Sequence, residues 1–475
     1  MGIYRIPLSG DAFITQEFLS GNAGKDPILD VGVKYSIIDN SRYIQRILGI
    51  LDLSSNSDLQ NKITDGSIPN PVNDNTVTAT LKMFNVLHGQ TQAKSFSLDV
   101  FPVTSQWDEG SGYGFNEDNQ LNITGYANYV SRKAGIDWTT SGGDYLVDSN
   151  SATQSFDTGS EHLSVNITNM LKNWLSSVSS NYGFIIKMSD VFESACGSYS
   201  ASVDLYRKSL FGKETRLTKW PRVELIWDDQ IKDYRNFFII GGSGYLYFYN
   251  VINGKYFDLA ATANFPGSVT IEGLTSNSST AWTTVSSSVA NLVGTRVKLG
   301  IYRALISELP YSLYNTYPIF RDKWTITSAI SAISTCATSY FTVLNPFAIN
   351  SYSDVYYGGY VLNLRNFSTD YQKGAKVIVR LFLKDLSLTY QALTASSSAF
   401  TSQVSDNGYW RILTDKKEID IDWQPLDFDK NGNFLTLDTA NLTRDYNYKI
   451  DFKLNIKGQT LYFDGDKIPS NFRIT

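Results

Sequence analysis

From Tyr448 to Lys457 the chain reads YKIDFKLNIK. Its apolar set, Tyr448, Ile450, Phe452, Leu454 and Ile456, interleaves without error with Lys449, Asp451, Lys453, Asn455 and Lys457. Side chains of a strand alternate sides with a period of two, so this run fits a strand with one buried face and does not fit a helix. Burying that face is worth about 1.5–3 kcal/mol per large side chain before chain entropy is subtracted. The lysines are expected on the opposite, solvated side, where they discourage edge pairing. Val377, Val379, Leu381 and Leu383, then Ile419, Ile421 and Trp423, supply further strands. Phe347 to Thr475 therefore reads as an immunoglobulin-like sandwich.

Two further domains precede it. Residues 1–230 contain the run Ser95 to Gly110, SFSLDVFPVTSQWDEG, in which Leu98, Val100 and Pro102 alternate with Asp99, Phe101 and Val103 before an aromatic and two carboxylates. A helix is expected from Leu163 to Ser176, with Ile167, Met170, Leu171, Trp174 and Leu175 on one stripe. Asp228 to Asp233 reads as a polar linker. Residues 231–346 then offer strands at Tyr245–Val251, Tyr256–Ala260, Gly267–Glu272, Trp282–Ser286 and Thr295–Tyr302, a spacing that suits a second small sandwich. In the last of these, Val297, Leu299 and Ile301 are expected on one side.

Composition supports an all-β chain. There are 30 Tyr and 26 Phe against 12 Pro and 4 Met, and flat aromatic side chains pack well on strands. Lys plus Arg is 41 and Asp plus Glu is 46, so a net charge of −5 offers no broad cationic field for phosphates; a nucleic-acid partner is disfavoured. Cys196 and Cys336 fall in different expected domains and read as reduced thiols. The N-terminus shows no basic region followed by an apolar core. The long uncharged stretch Thr325–Leu344 carries nine Ser or Thr, so no membrane span is expected.

Candidate chemistry is sparse. His88 and His162 are the two histidines, and no GxSxG, P-loop, HExxH or CxxC occurs, which disfavours nucleophilic hydrolases, zinc enzymes and nucleotide-dependent enzymes. Asp108 with Glu109, and Glu117 with Asp118, lie too close in sequence to straddle a glycosidic bond easily. Trp107, Asp108, Glu109 and Tyr113 carry two readings. Trp107 and Tyr113 would stack on the apolar face of a sugar, or Trp107 caps the sandwich while the carboxylates lock the loop through backbone N–H groups. DFDKNGNFLTLD, Asp427 to Asp438, fits a calcium loop through Asp427, Asp429, Asn431, Asn433 and Asp438, with Gly432 at the turn. Its flanks read as strands, so a hairpin turn explains the same residues and no cofactor is expected.

Several segments are similar to known families. RYIQRILGILDLS (Arg42–Ser54), Trp138 followed by Gly142-Gly143-Asp144, LSVNITNMLKNW (Leu163–Trp174), NYGFIIK after Ser180, and WPRVEL (Trp220–Leu225), together with the Ser95–Gly110 run, resemble the pattern of the DNRLRE-type jelly-roll domain. Leu51 stands where that pattern has an aromatic, and Asn166 where it has Asp. The module is related to carbohydrate-binding modules and occurs in bacterial surface proteins and phage structural proteins. In the second half, GYLYFYNVINGKYFDL, FRDKW, YWRILTDKKEIDIDWQPLDFD and RDYNYKIDFKLNIKGQTLYFD resemble tandem Ig-like domains of large tailed-phage structural proteins, including tail proteins of crAss-like phages. The resemblance implies a jelly-roll sandwich with one short helix, followed by two Ig-like sandwiches. It also implies a non-enzymatic virion component of the tail, tail hub or neck, a homo-oligomer held to other tail or neck proteins. The alternative is a carbohydrate-binding or adhesin module.

Overall fold

The computed structural model describes residues 2–36, 41–87, 94–113, 126–194, 207–236, 238–239, 241–259, 265–275, 282–285, 292–306, 309, 311–317, 319–327, 334–341, 343–344, 360–385, 402, 404–429, 431–456, 458–466 and 468–475. His88, Glu117, Asp118 and Cys196 lie outside them. The protein is all-β, with 51% of the described residues in strands and 8% in helix. It forms two compact units, Gly2–Asp228 and Asp229–Thr475.

The first unit is a jelly-roll β-sandwich. Its strands are β1 (Gly2–Pro7), β2 (Gly10–Thr15), β3 (Ile28–Ser36), β4 (Ser41–Ile50), β5 (Thr78–Met83), β6 (Phe96–Pro102), β7 (Ser131–Lys133), β8 (Ile136–Asp137), β9 (Ala152–Phe156), β10 (Leu163–Asn166), β11 (Phe184–Met188), β12 (Arg207–Phe211) and β13 (Arg222–Trp227). One sheet runs β1-β13-β5-β10; the other runs β12-β3-β4-β11-β6-β9, with β2 also on β4. Period-two alternation sends Leu29, Val31, Ile47, Leu98, Val100, Phe184 and Ile186 of the larger sheet against Ala79, Leu81, Val223 and Leu225 of the smaller one.

Among the described residues of this unit are three short helices where one is expected: α1 (Asp58–Thr64), α2 (Thr168–Leu175) and α3 (Asp190–Ser194). The helix expected from Leu163 begins only at Thr168. Leu163 to Asn166 pairs instead with Met83 to Thr80 as strand β10, so the first four residues of the expected helix, which precede its apolar stripe, obey strand periodicity. Met170, Leu171 and Trp174 of α2 remain on the core.

The second unit contains two sets of sheets. In the first, Gly244–Tyr249, Ile301–Ile306 and Gly294–Lys298 form one sheet; Trp282–Thr284, Gly267–Leu274, Ile319–Thr327 and Ser334–Phe341 form the other, in that order. The single strand expected at Thr295–Tyr302 is a hairpin, because Gly300 turns the chain at φ +66. In the second set, Tyr360–Arg365, Lys376–Asp385, Gly432–Asp438 and Asp427–Asp429 face a sheet in which Asn447–Ile456 is central. That strand pairs with Gly408–Thr414 on one side and with Gln459–Phe463 and Asn471–Ile474 on the other. Its polar face is therefore partly covered. Lys449 and Asp451 are buried, Lys449 against Asp466 at 2.9 Å and Asp451 against Arg411 at 2.7 Å, and do not act as solubilising edge residues.

The segment expected as a linker is packed. Ile231 N–H donates to Asp427 Oδ1 at 2.9 Å, Phe428 N–H to Ile231 O at 3.1 Å, and Asp233 N–H to Phe428 O at 3.2 Å. Ile231, Tyr247, Ile301 and Phe434 close over one small apolar cluster. The division expected near residue 346 falls outside the described residues.

Candidate functional site

The larger sheet of the first unit is covered on both faces. On the outer face, Ala12, Ile14, Leu48, Phe101 and Ile185 meet Trp107, Ala127 and Trp138 from the long segment after β6. Trp107 is 6% exposed, and its indole N–H donates to Tyr182 O at 2.9 Å; Trp138 donates likewise to Asn128 O at 2.9 Å. Trp107 has no ring face open to a sugar, while Tyr113 is exposed. The two do not form a stacking platform, because the outer sheet face offers the indole more apolar contact than solvent does.

Glu109 pins the same segment. Its Oε1 accepts Asp11 N–H at 2.9 Å and lies 2.7 Å from Lys213 Nζ, and its Oε2 lies 3.1 Å from Lys25 Nζ. Asn22 completes the lock, donating to Glu109 O and Ala127 O at 2.8 Å each and accepting Gly112 N–H at 2.9 Å. The backbones approach so closely that a Cβ on Gly112 would lie 1.9 Å from Asn22 O. Asp108 is exposed and takes part through its backbone, with its N–H on Arg132 O at 3.0 Å.

Asp11 lies beneath this network, fully buried. Its Oδ2 accepts Lys213 N–H at 2.7 Å and its Oδ1 has no partner. Burial pushes its carboxyl up to about 7. Because the folded value stands above the unfolded one, the contribution to stability is complete below the unfolded pKa and is lost as pH rises through about 7. Asp11→Asn, neutral at every pH, is expected to melt higher than the wild type at about pH 8 and close to it at about pH 4. Thermal melts at the two pH values check this; a variant that melts lower at the higher pH would show that the ionised carboxylate is the stabilising form.

A second polar cluster shares the outer face. Arg46 of β4 pairs with Glu193 of α3 at 2.6 Å and donates to Gly142 O at 2.8 Å; Lys187 of β11 lies 3.3 Å from Glu193 and also bonds Asp190. The Gly142-Gly143-Asp144 turn is held by Asp144, which accepts N–H bonds from Thr139 and Thr140 and the Ser105 hydroxyl at 2.9–3.0 Å. Although burial opposes it, this donation keeps the Asp144 carboxyl below its usual range.

The residues of the calcium-loop motif diverge. Asp427–Asp429 and Gly432–Asp438 form a hairpin, with Asp429 opposite Gly432 at φ +123. Asp429 is bound by both guanidinium nitrogens of Arg380, at 2.9 and 2.7 Å. Asp427 is buried and accepts Ile231 N–H, Asn433 bonds the Ser405 backbone at 2.7 and 2.8 Å, Asp438 caps Ala440 N–H, and Asn431 is exposed. Four side chains turned to four separate partners, with a fifth in solvent, do not define one coordination sphere.

Sequence reasoning singled out Glu109 and missed the groups that hold it. Lys187 within FIIKM and Lys208 within RKSLF were readable as charges inside buried strands.

No family model and no curated protein matches the chain. Among solved structures, a DUF4785 family protein from Legionella pneumophila aligns with 98% of this chain and 89% of its own at 10% identity, with a TM-score of 0.15. The amphioxus IgVJ-C2 molecule aligns with 47% of this chain and 97% of its own at 8% identity and a TM-score of 0.11. Trypsin-activated alpha-2-macroglobulin from Escherichia coli aligns with 88% of this chain and 23% of its own at 9% identity and a TM-score of 0.16. The class of the protein, a chain of antiparallel β-sandwiches, rests on its own strand pairings.

Proposed function

We propose that this protein is a structural component of a tailed-phage virion, in the tail, tail hub or neck, and acts by forming interfaces with copies of itself and with neighbouring virion proteins. The observation that carries the reading is the state of its outermost strands. Among the described residues, Gln459–Phe463, Ile419–Pro425, Ser334–Phe341 and Tyr360–Arg365 each pair on one side alone, and they present Tyr462 (71% exposed), Ile419, Tyr340 and Val361. A strand paired on one side that also exposes apolar side chains is a template for association, which a protein acting alone usually blunts. The hairpin Val251–Ile252/Lys255–Tyr256 adds a second apolar surface, with Val251, Ile252, Tyr256 and Phe257 all exposed. Head-to-tail contacts between identical subunits close into rings. The resemblance of the chain to tandem sandwich domains of tail proteins supports the same reading.

Carbohydrate recognition at the jelly-roll loops is the other reading, and the burial of Trp107 removes its aromatic platform. Mass spectrometry of purified virions tests the proposal. The protein is expected in several copies per particle; finding it in infected-cell lysate and not in particles would overturn the structural reading.

A further inference from the structure

We propose that the first sandwich is closed by an intramolecular isopeptide bond between the side chains of Lys208 and Asn85, with the nearby Glu161 carboxylate stabilising the positive charge that develops on the attacking nitrogen. The inference is independent of the virion reading and rests on groups that the outer-face network does not use.

Lys208 lies in β12 and is 2% exposed. Its ammonium donates to Asn85 Oδ1 at 2.8 Å and Gly159 O at 2.7 Å and stands 4.7 Å from the centre of the Phe156 ring. Nothing among the described residues pairs it with a carboxylate at ion-pair distance. Two other lysines, buried Lys187 and half-buried Lys298, differ. Burial opposes the charge of Lys187 and Lys298 too, yet Asp190 and Glu193 hold the first, and Asp229 at 2.9 Å the second, above the usual lysine range. For Lys208 burial prevails and brings the amine down to about 8. A useful fraction is then the neutral nucleophile in mildly alkaline solution.

The partner is held in place by backbone pairing. Val86 N–H donates to Ser209 O at 3.0 Å and Phe211 N–H to Phe84 O at 2.9 Å, which sets Asn85 opposite Leu210. Lys208, two residues from Leu210, projects to the same side of β12. Asn85 is itself buried; its N–H donates to His162 Nδ1 at 3.1 Å, and its side-chain Nδ2 has no partner. Glu161 accepts N–H bonds from Thr158 at 2.8 Å and Asp157 at 3.1 Å on Oε1, while its buried Oε2 is unpartnered. Although burial opposes it, these bonds hold its carboxyl down at about 2, so it is ionised, and it acts electrostatically on Lys208. An amine and an amide thus meet at one place, with a carboxylate acting on the amine electrostatically. The amide nitrogen and one carboxylate oxygen lack partners, an arrangement that costs stability unless chemistry relieves it.

The reaction balances without a co-reactant. The Lys208 ammonium loses a proton to water in mildly alkaline solution, and the amine lone pair forms a bond to Asn85 Cγ, while the Glu161 carboxylate stabilises the positive charge that develops on the attacking nitrogen. The Cγ–Nδ2 bond then breaks as Nδ2 takes a proton from the attacking nitrogen. Ammonia leaves and takes up a proton from water, so an ammonium and an amide become a secondary amide and an ammonium ion. Amines do not attack amides readily in water, but fixed contact supplies effective concentrations of ~10⁵–10⁸ M. The new amide carries no charge and so removes the buried ammonium. It also joins the four-stranded sheet, which holds β5, to the edge strand of the seven-stranded sheet, so the two halves of the sandwich become one covalent unit.

The full chain, purified and incubated at about pH 8, where the neutral amine is appreciable, is expected to have an intact mass lower than its sequence by one ammonia. Its digest should contain one branched peptide joining Lys208 to Asn85. A succinimide at an Asn-Gly pair loses the same ammonia without joining peptides, so peptide fragmentation decides. Lys208→Arg removes the nucleophile and should show the full sequence mass. Glu161→Gln keeps both reacting groups and should form the link at least tenfold more slowly. Wild-type protein that retains its full mass while showing a cooperative melt, or loses ammonia without the branched peptide, overturns the proposal. A link that forms at the wild-type rate in Glu161→Gln overturns the role given to Glu161.

Discussion

Replacing Trp107 by alanine is expected to cost the first unit about 3–5 kcal/mol, the range for removing a large aromatic side chain from a packed interior. Its indole fills the centre of the apolar layer on the outer face of the larger sheet, with Phe101, Val103 and Trp138 around it and a hydrogen bond to Tyr182 O. Alanine removes that volume where β4, β6 and β11 hold the opposite wall rigid, so collapse recovers little of it. It also takes the donor away from a carbonyl, worth about 0.5–1.5 kcal/mol. Trp107→Phe keeps most of the volume and isolates that smaller loss. Denaturant titration of the three proteins measures both numbers. Wild-type stability in Trp107→Ala, together with lost binding to a glycan array, would mean that the indole acts in recognition and would restore the carbohydrate reading.

Features governed by neighbours in sequence were legible, and features set by distant partners were not. The alternation of β6 separates Leu98 and Val100 on the inner core from Phe101 and Val103 at the outer layer because strand geometry alone dictates it. Asn253-Gly254 reads as a tight turn, and both residues take positive φ, +50 and +78, as a two-residue hairpin of that hand requires. Thr295–Tyr302 misleads because a turn of Leu299 and Gly300 leaves the alternation unbroken on either side. Lys449 and Asp451 were placed in solvent because period two distinguishes faces without saying what covers them.

The site shows the same limit. Glu109 stands out in sequence as an acid after an aromatic, but its partners Lys25, Asp11 and Lys213 lie 84, 98 and 104 residues away. Lys208 and Asn85 are 123 residues apart, and Glu161 joins them from a third segment. Each of these side chains is ordinary where it stands; the closing of two sheets on each other gives it a chemical neighbour.

Asp322→Ala is expected to destabilise the second unit by about 3–5 kcal/mol, as breaking a buried ion pair from one side does. Asp322 occupies the inward side of Ile319–Thr327, the strand between Gly267–Leu274 and Ser334–Phe341, and has no exposed surface. Its carboxylate bonds the Arg235 guanidinium at 2.7 and 3.3 Å and accepts the Trp324 indole N–H at 2.6 Å. Arg235 also binds Asp233 at 2.5 Å and the carbonyl of Tyr247, so one guanidinium joins a 3-10 turn and two sheets. Alanine leaves that guanidinium with one carboxylate fewer, and leaves an indole N–H with no acceptor among the Phe248, Phe265 and Tyr302 rings that surround Trp324. Asp322→Asn retains shape and an acceptor and should lose less, because only the charge is removed. Denaturation followed by tryptophan fluorescence distinguishes the two variants. A loss in Asp322→Ala of under about 1 kcal/mol, the scale of an exposed pair, would show that water reaches Arg235 and that the cluster does not hold the sandwich together.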